Sequence, residues 1–299
     1  MIGDSESDTF LLAPGGALEG VVQAIDYFPT GQPSGFEGVA GPLQWWGRAP
    51  PPSGTYELLA FGGDGKQASN VALPSPVGSY SPDPLGGLVV LAYSNGAASQ
   101  VLSYDVAGNQ RWAFSIAESA TTGILGVDVR GNTLLLLVGV GGYAPGIEGR
   151  WIDSKGSAGS PFAAGASLGT LFPRLGGGLF LADGANWTEF PALSTAPENA
   201  PTWLQQRPHV ALQIVEGGQG YGIVPVSEVR IHGYCDQYVE VVDQSGASCG
   251  KAQLPEVYEF CNASLGLDGT LFQAMSPTQA NCGANGCACA WQIWPGLLR

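Results

Sequence analysis

Positively charged residues are scarce in this sequence. The 299-residue chain has 11 Lys and Arg residues against 25 Asp and Glu residues, which gives a formal net charge of −14. Nucleic acids and anionic lipid surfaces both attract basic proteins through their phosphates and headgroups. The charge balance therefore argues against nucleic acid as a partner and against insertion into a membrane.

Long apolar runs and histidines are also scarce. No run approaches the roughly 20 apolar residues that a membrane-spanning helix needs, and the acidic first residues lack the pattern of a secretory signal. His209 and His232 are the only histidines, which excludes a histidine-rich metal site. No Gly-x-Ser-x-Gly elbow, phosphate-binding loop or His-Glu-x-x-His motif occurs. The sequence therefore predicts no catalytic residue and no metal ligand.

Cysteine is absent from the first three quarters of the chain and clusters in the last. An even number of cysteines in Gly-, Asn- and Ser-rich surroundings favours disulfides and an oxidising compartment. We therefore predict a protein outside the cytoplasm, whether secreted, periplasmic or surface-anchored. A zinc site formed by the last four cysteines, or free thiols, are the alternatives that the sequence leaves open. The six candidates for disulfides are Cys235, Cys249, Cys261, Cys282, Cys287 and Cys289.

Glycine and proline are abundant, and the glycines are periodic. The chain has 46 Gly and 22 Pro residues together with 44% apolar residues, which is typical of a folded chain with many turns. A turn glycine followed by an apolar strand recurs about every 45 residues, a period that indicates a repeat architecture. The repeated glycines are Gly41, Gly86, Gly131, Gly176, Gly218 and Gly269.

A second turn recurs downstream of the first in most repeats. It has the pattern Asp-x-x-Gly, because Asp and Gly accept the backbone conformations of tight turns. It occurs at Asp105–Gly108, Asp153–Gly156 and Asp243–Gly246, with Gly62–Gly65 and Ser194–Pro197 as variants. Two turns in register divide each unit into four short strands.

Four strands in about 45 residues are typical of one blade of a β-propeller. The sequence therefore predicts an all-β protein, a six-bladed β-propeller with four-stranded blades. We expect a single domain over 1–299, with about 1–10 as a flexible tail. The last unit has room for three strands only, so we predict that the N-terminal strand at 18–25 completes the closing blade and removes an exposed sheet edge.

One unit has a more specific pattern. The segment from Tyr104 to Phe114, Tyr-Asp-Val-Ala-Gly-Asn-Gln-Arg-Trp-Ala-Phe, resembles the repeat of quinoprotein-like (PQQ-type) propellers, in which Asp, Gly and Trp have this spacing. The glycine pairs at Gly86 and Gly176 resemble kelch repeats. Both resemblances imply the fold and no activity, because the cofactor and calcium ligands of quinoprotein dehydrogenases have no counterparts here.

The connections between the second and third strands vary most in sequence, among them 93–100 and 139–149. Loops on a rigid scaffold often carry the binding function, so this loop face is the predicted binding site for a protein or a glycan. Aromatic and cationic side chains suit stacking on a sugar or anchoring a partner. The candidates are Trp46, Arg48, Tyr93, Tyr143, Trp187, Arg230, His232 and Tyr234.

Four carboxylates precede the first turn glycine of their units, namely Asp83, Asp128, Glu216 and Asp268. We interpret them as turn residues, and a ring that binds Ca²⁺ is the alternative. The leading hypothesis is an exported, non-catalytic binding or scaffold propeller without a cofactor. The alternative is a propeller hydrolase, lyase or dehydrogenase with carboxylates or Ca²⁺ at its central channel. The sequence is compatible with a monomer and leaves the oligomeric state open.

Overall fold

The computed structural model describes β-strands along the whole chain and one short helix. Backbone and side chains are described for residues 71–72, 78–81, 83, 85–94, 97–105, 107–117, 120–139, 146–165, 167–184, 186–215, 219–225 and 238–254. Elsewhere the description is limited to the backbone of the strands given below. The chain divides into two compact units. The first comprises 1–12, 18–183 and 187–200, and the second comprises 13–17, 184–186 and 201–299, including the helix. A single domain over 1–299 stays a prediction.

The first unit contains a three-stranded sheet and four four-stranded sheets, all antiparallel and built from strands consecutive in sequence. The first two sheets are β1 (Ile2–Gly3), β2 (Asp8–Leu12) and β3 (Leu18–Gln23), then β4 (Val39–Ala40), β5 (Leu43–Arg48), β6 (Tyr56–Gly62) and β7 (Gln67–Leu73). The third is β8 (Val77–Pro82), β9 (Leu88–Ser94), β10 (Ala97–Tyr104) and β11 (Gln110–Ala120). The fourth and fifth are β12 (Thr122–Val127), β13 (Thr133–Val138), β14 (Ile147–Ile152) and β15 (Phe162–Gly165), then β16 (Thr170–Pro173), β17 (Leu179–Asp183), β18 (Asn186–Phe190) and β19 (Glu198–Asn199).

The second unit begins with the helix α1 (Thr202–Gln205). Its four-stranded sheet has the order β20 (Val210–Ile214), β21 (Gly220–Pro225), β23 (Tyr238–Asp243) and β24 (Ser248–Gln253), while β22 (Tyr234–Cys235) pairs with β25 (Val257–Tyr258). The last strands are β26 (Ala263–Leu265), β27 (Leu271–Ala274), β28 (Cys282–Gly283), β29 (Gly286–Cys287) and β30 (Trp291–Trp294). β27 pairs with both β26 and β30, and β28 pairs with β29.

Side-chain burial explains the apolar strands of the repeat. β13 pairs in register with β12 and β14, and Thr133 to Leu137 are all buried. Leu135 and Leu137 pack toward the β8–β11 sheet, whereas Leu134 and Leu136 pack toward the β16–β19 sheet. Each buried leucine contributes roughly 1.5–3 kcal/mol of hydrophobic free energy. A strand covered on both faces needs apolar residues at every position, so its sequence is a continuous run rather than an alternation.

The N-terminal strand differs from its prediction in its pairing. β3, at Leu18–Gln23, pairs with β2 in a sheet with β1. None of the described strands of the last sequence repeat, β26 to β30, pairs with it. Strand pairing also extends to Ile2–Gly3, within the segment predicted as a tail. A local hairpin loses less loop-closure entropy than a pairing between the two ends of the chain, which favours the observed arrangement.

Candidate functional site

Tight turns of one geometry follow most of the first and third strands of the described four-stranded sheets. At Asp128 the backbone N–H donates to the Asn132 carbonyl at 2.8 Å, and the Gly131 N–H donates to the Asp128 carbonyl at 3.0 Å. The Asp128 Oδ1 accepts the N–H groups of Arg130 and Asn132 at 2.8 and 2.9 Å. The same pattern of bonds occurs at Asp105, Asp153 and Asp243. The turns predicted at these three positions are therefore confirmed.

The turn at 174–178 has the same backbone bonds without a carboxylate. Arg174 replaces the aspartate, and Gly176, Gly177 and Gly178 all have positive φ, between 80° and 102°. The Gly178 N–H donates instead to Asp128 Oδ2 of the neighbouring sheet, at 2.9 Å. Asp128 is fully buried and also accepts the Asn132 side-chain amide at 3.1 Å. The Asp128 carboxylate thus accepts hydrogen bonds from its own turn and from the turn of the neighbouring sheet.

Neighbouring sheets of the first unit are aligned in the same direction. The Leu125 and Val127 N–H groups of β12 donate to Ser79 Oγ and Ser81 Oγ of β8, at 3.3 and 3.2 Å. Leu125 lies beside Ser79 and Val127 lies beside Ser81, so β12 and β8 run in the same direction. The turns that follow the two strands therefore lie at the same end. We call this end of the sheets from β8 to β19 the turn face. The opposite end, with the connections 95–96 and 139–146, is the loop face.

Two predicted binding residues have described side chains, and both pack within the protein. Trp187 is 2% exposed, and its ring lies 5.6 Å from that of Phe172. The Tyr93 ring lies against Gly78, where an added Cβ would be 1.9 Å from it, and its hydroxyl accepts the Gly123 N–H at 2.9 Å. The segment predicted as loop 93–100 is mostly strand, with a connection only at 95–96.

The other predicted binding residues lie beyond what the structure describes. Trp46 and Arg48 are in β5 and Tyr234 is in β22, each with a described backbone only. Tyr143, Arg230 and His232 are outside the described residues. These six therefore stay predictions.

The structure describes some of the cysteines and corrects the prediction for one of them. Cys249, in β24, is exposed and free, so the prediction that it forms a disulfide is wrong for this structure. Its thiol lies 3.8 Å from the Ala247 carbonyl oxygen, and its strand is exposed along its whole length. In the backbone register, Cys282 lies opposite Cys287. The side chains of Cys235, Cys282 and Cys287 are not described, and Cys261 and Cys289 lie outside the described residues.

Four of the five buried carboxylates among the described residues are paired with arginines, and the fifth is Asp128. The pairs are Asp83 with Arg111, Glu148 with Arg150, Glu189 with Arg174 and Glu240 with Arg207. Of the predicted turn carboxylates, Asp83 and Asp128 both accept N–H groups of their turns, while Glu216 and Asp268 lie outside the described residues. No three described His, Cys, Asp or Glu side chains are close enough to hold a metal ion together.

In two of these pairs the pKa of the carboxyl group is shifted in opposite directions. Burial raises the pKa of Glu189, an effect that Arg174 opposes and the like charge of Glu198 reinforces; Glu198 lies directly opposite in β19. Hydrogen bonds from Arg207 lower the pKa of Glu240. Arg207 contacts both carboxylate oxygens of Glu240, at 3.0 and 3.2 Å, and donates to the Trp203 carbonyl. The Arg207 pair is therefore the better-compensated one.

The turn face has exposed groups that the sequence analysis did not single out. Leu85 and Leu193 are 62% and 53% exposed, the highest values among the large apolar side chains described. Arg130 and Lys155 lie in turns of the same face, are exposed, and have no ion pair within the described residues. For Leu85, Arg130 and Lys155, the signal available in the sequence was their position inside Asp-x-x-Gly turns.

Comparison with known proteins identifies the fold. No protein-family model and no curated protein matches the sequence. The structure is similar to the Pan2 WD40 domain of Neurospora crassa, with 13% identity and a TM-score of 0.50 over 92% of this chain and 81% of that one. It is similar to TolB from Acinetobacter baumannii, with 12% identity and a TM-score of 0.50 over 87% of this chain. Prolyl oligopeptidase B from Galerina marginata matches at 9% identity and a TM-score of 0.50 over 86% of this chain.

The chain spans 62% of the length of TolB and 39% of that of the oligopeptidase. Together with the four-stranded antiparallel sheets, these likenesses show that the protein is an all-β protein of the β-propeller class. The six-blade count is consistent with them and stays a prediction, and a quinoprotein-like or kelch-like repeat is not confirmed. Among the described residues, no helix is long and apolar enough to cross a membrane.

Proposed function

We propose that this protein is a binding or scaffold propeller that recognises a protein or a glycan through its loop face. One observation carries the proposal: the first strands of three neighbouring sheets end in turns with the same hydrogen bonds, whereas the connections at the other end vary. The turns at 83–87, 128–132 and 174–178 share one set of backbone bonds. The connections at the other end differ in length, from two residues at 95–96 to eight at 139–146. Variable loops on a repeated, rigid scaffold are typical of a recognition surface.

The packing of the first unit supports a rigid scaffold. The first strands of two neighbouring sheets, β8 and β12, are joined by hydrogen bonds to the serine hydroxyls of β8, and the sheets bury leucines between them. The Tyr93 hydroxyl adds a bond from β9 to β12 close to the loop face. Rigid support lowers the entropy that loops lose on binding.

The test is a glycan and protein array screened with the natural protein and with a variant whose 139–146 connection is replaced by a short Asn-Gly turn. We expect binding to at least one class of ligand, and its loss in the variant. The matched control is Asp153→Asn, which changes the opposite end of the same sheet. Absence of binding, together with turnover of a small-molecule substrate, would favour the propeller enzyme over the binding protein.

We also propose a location outside the cytoplasm, on the basis of the cysteines clustered in the last quarter of the chain. Thiol alkylation with mass spectrometry tests it in protein unfolded without reductant. Because Cys249 is exposed and free, we expect it to be labelled, while cysteines paired in disulfides stay protected. Labelling of all six cysteines would contradict the proposed location.

A further inference from the structure

Two cysteines lie opposite one another in a small hairpin near the end of the chain. Cys282 of β28 is the register partner of Cys287 of β29. Gly283 and Gly286 form the next pair, and two residues connect the strands. The two strands form a sheet of their own, which pairs with no other described strand. The pairing therefore brings together two cysteines that are five positions apart in the sequence.

The register places the two cysteines at a position that suits a disulfide. In an antiparallel hairpin, the turn joins the pair that flanks it by a hydrogen bond, and the next pair is non-hydrogen-bonded. Since Gly283 and Gly286 flank the connection, the cysteines occupy the non-hydrogen-bonded position. Residues opposite each other at such a position have Cα atoms about 4.5 Å apart and lie on the same face of the sheet. A disulfide joins residues whose Cα atoms are about 4.4–6.8 Å apart. The backbone therefore meets the requirement for this bond.

The strands of the hairpin contain little else that could stabilise it. An isolated two-stranded hairpin is marginally stable in water, and sheets are stabilised by side-chain pairs across their strands. Gly283 and Gly286 offer no such pair, because glycine has no side chain and loses the most conformational entropy on folding. Cys282 and Cys287 are the only residues of the two strands with a side chain. A covalent bond between them would supply the stabilisation that the glycines do not.

The hairpin lies within the connection between β27 and β30, which runs from 275 to 290. β27 and β30 are the second and third strands of their sheet. The connection is therefore of the same kind as 139–146 in the first unit, and it is longer. Ordering a long connection costs conformational entropy. A disulfide within it removes part of that freedom, and it adds little to global stability because the loop that it closes is short.

We infer that Cys282 and Cys287 form a disulfide that closes the hairpin and orders the β27–β30 connection. In the cell, the inference rests on the proposed location outside the cytoplasm, because disulfides persist in oxidising compartments. It does not depend on the ligand proposed for the loop face.

A disulfide such as oxidised glutathione is the oxidant for this bond. The thiolate of one cysteine attacks a sulfur of oxidised glutathione, which forms a mixed disulfide and releases one glutathione thiolate. The thiolate of the other cysteine then attacks the cysteine sulfur of the mixed disulfide and displaces the second glutathione. In total, the two cysteine thiols lose two protons and two electrons, and one oxidised glutathione is reduced to two glutathione molecules.

Disulfide mapping of the natural protein tests the pairing. Free thiols are blocked with iodoacetamide in protein unfolded without reductant, and trypsin and hydroxylamine then cut the chain. Hydroxylamine cleaves Asn–Gly bonds, and the bond Asn285–Gly286 lies between the two cysteines. We expect the fragment 286–299 to stay linked to 252–285 until a reductant is added. Tandem mass spectrometry of the linked species should place the bond between Cys282 and Cys287.

Variants account for the one further cysteine in each fragment. In a variant with Cys261→Ser and Cys289→Ser, the two fragments retain only the hairpin cysteines, and we expect the link to persist. Adding Cys282→Ser should separate the fragments. Cys249→Ser is the matched control, because this cysteine is exposed and free, and it should leave the link intact. In the natural protein, two separate fragments, or a bond from either hairpin cysteine to any other cysteine, overturn the pairing.

The pairing and the proposed location can fail separately. If all six cysteines of the natural protein are alkylated, but the link forms when the purified protein is equilibrated with reduced and oxidised glutathione, the location is wrong and the pairing is supported. If other cysteines are linked to one another while Cys282 and Cys287 are not, the location is supported and the pairing is overturned. Absence of the link under both conditions also overturns the pairing.

Amide hydrogen exchange tests whether the bond orders the connection. The variant carries both Cys282→Ser and Cys287→Ser. Its Gly283 and Gly286 N–H groups should exchange at least about tenfold faster than in the natural protein, because the hairpin alone is marginally stable. Cys249→Ser should leave their exchange unchanged, and unchanged exchange in the buried strand β13 shows that both variants fold. Equal exchange in the double variant and the natural protein overturns the ordering role.

Zinc is the other ligand that neighbouring cysteine thiolates bind, since structural zinc sites are formed by four cysteine or histidine ligands. Elemental mass spectrometry of the natural protein measures the zinc content. One zinc ion per chain that is released when the thiols are alkylated would assign the hairpin to a metal site and overturn the disulfide.

Discussion

The turns at 128–132 and 174–178 have the same backbone hydrogen bonds and reach them by different means. In the first, the Asp128 carboxylate accepts two N–H groups of its own turn. In the second, three glycines with positive φ adopt the conformation, and the acceptor for Gly178 comes from Asp128 in the neighbouring sheet. The comparison teaches that a repeat can lose its signature residue at one position when a neighbour supplies the missing hydrogen bond.

The largest effect is expected from removing the shared carboxylate. Asp128→Ala leaves the Gly178 N–H and the Asn132 side-chain amide without their buried acceptor, so we expect a loss of about 3 kcal/mol in the free energy of unfolding. Asp153→Ala, in a turn whose carboxylate accepts only local bonds, should cost about 1 kcal/mol. Urea unfolding of both variants measures the difference. Equal losses would show that the bond between sheets contributes nothing.

The second effect concerns the glycines that replace the carboxylate. A Cβ at Gly178 would lie 2.4 Å from the Phe190 carbonyl oxygen, whereas at Gly176 it would meet nothing within 4 Å. Both have positive φ, so Gly176→Ala should cost about 1 kcal/mol from backbone strain alone. Gly178→Ala should cost at least about 2 kcal/mol, because backbone must also move. The same unfolding measurement applies, and a larger loss at Gly176 would contradict the steric explanation.

A third kind of turn occurs at 191–194, a segment that contains neither an aspartate nor a glycine. The Ser194 N–H donates to the Pro191 carbonyl at 3.1 Å, and Leu193 has the left-handed conformation. Leu193→Gly should raise the melting temperature, with a gain of up to about 1 kcal/mol. A decrease would show that the leucine side chain contributes more by packing than its backbone loses by strain.

The smallest effect is local and depends on pH. A hydrogen bond from the Asn109 side chain, together with turn N–H groups, lowers the pKa of Asp105, and a bond from Ser245 does so for Asp243. A lowered pKa in the folded state means that the stabilisation is present above the ordinary value and is lost as pH falls through the folded value. We therefore expect the Asp105 turn to loosen below about pH 4.

Amide hydrogen exchange, corrected for intrinsic rates, measures this loosening. The Asn109 N–H, which donates to Asp105 Oδ1 at 2.8 Å, should lose protection as the pH falls. The Gly177 N–H, which donates to the Arg174 carbonyl, should keep its protection. Equal loss at both sites would indicate global unfolding rather than protonation of the turn carboxylate.

Much of the candidate site could not be predicted from the sequence, because burial depends on contacts between sheets. Trp187 and Tyr93 have residue types that suit a binding surface, yet one packs on Phe172 and the other on Gly78. Arg130 and Lys155 stand out only once the other described arginines are seen to be paired with carboxylates. A single sequence shows where a cation is and does not show whether a carboxylate from another strand neutralises it.

The sequence by itself determined the repeat, the all-β class and the turns at Asp105, Asp153 and Asp243, because these depend on patterns within a few neighbouring residues. Only the tertiary structure decided which strand pairs with β3, which carboxylate holds Gly178, and which cations remain exposed on the turn face. Those outcomes depend on residues distant in sequence, whose contacts no local pattern encodes.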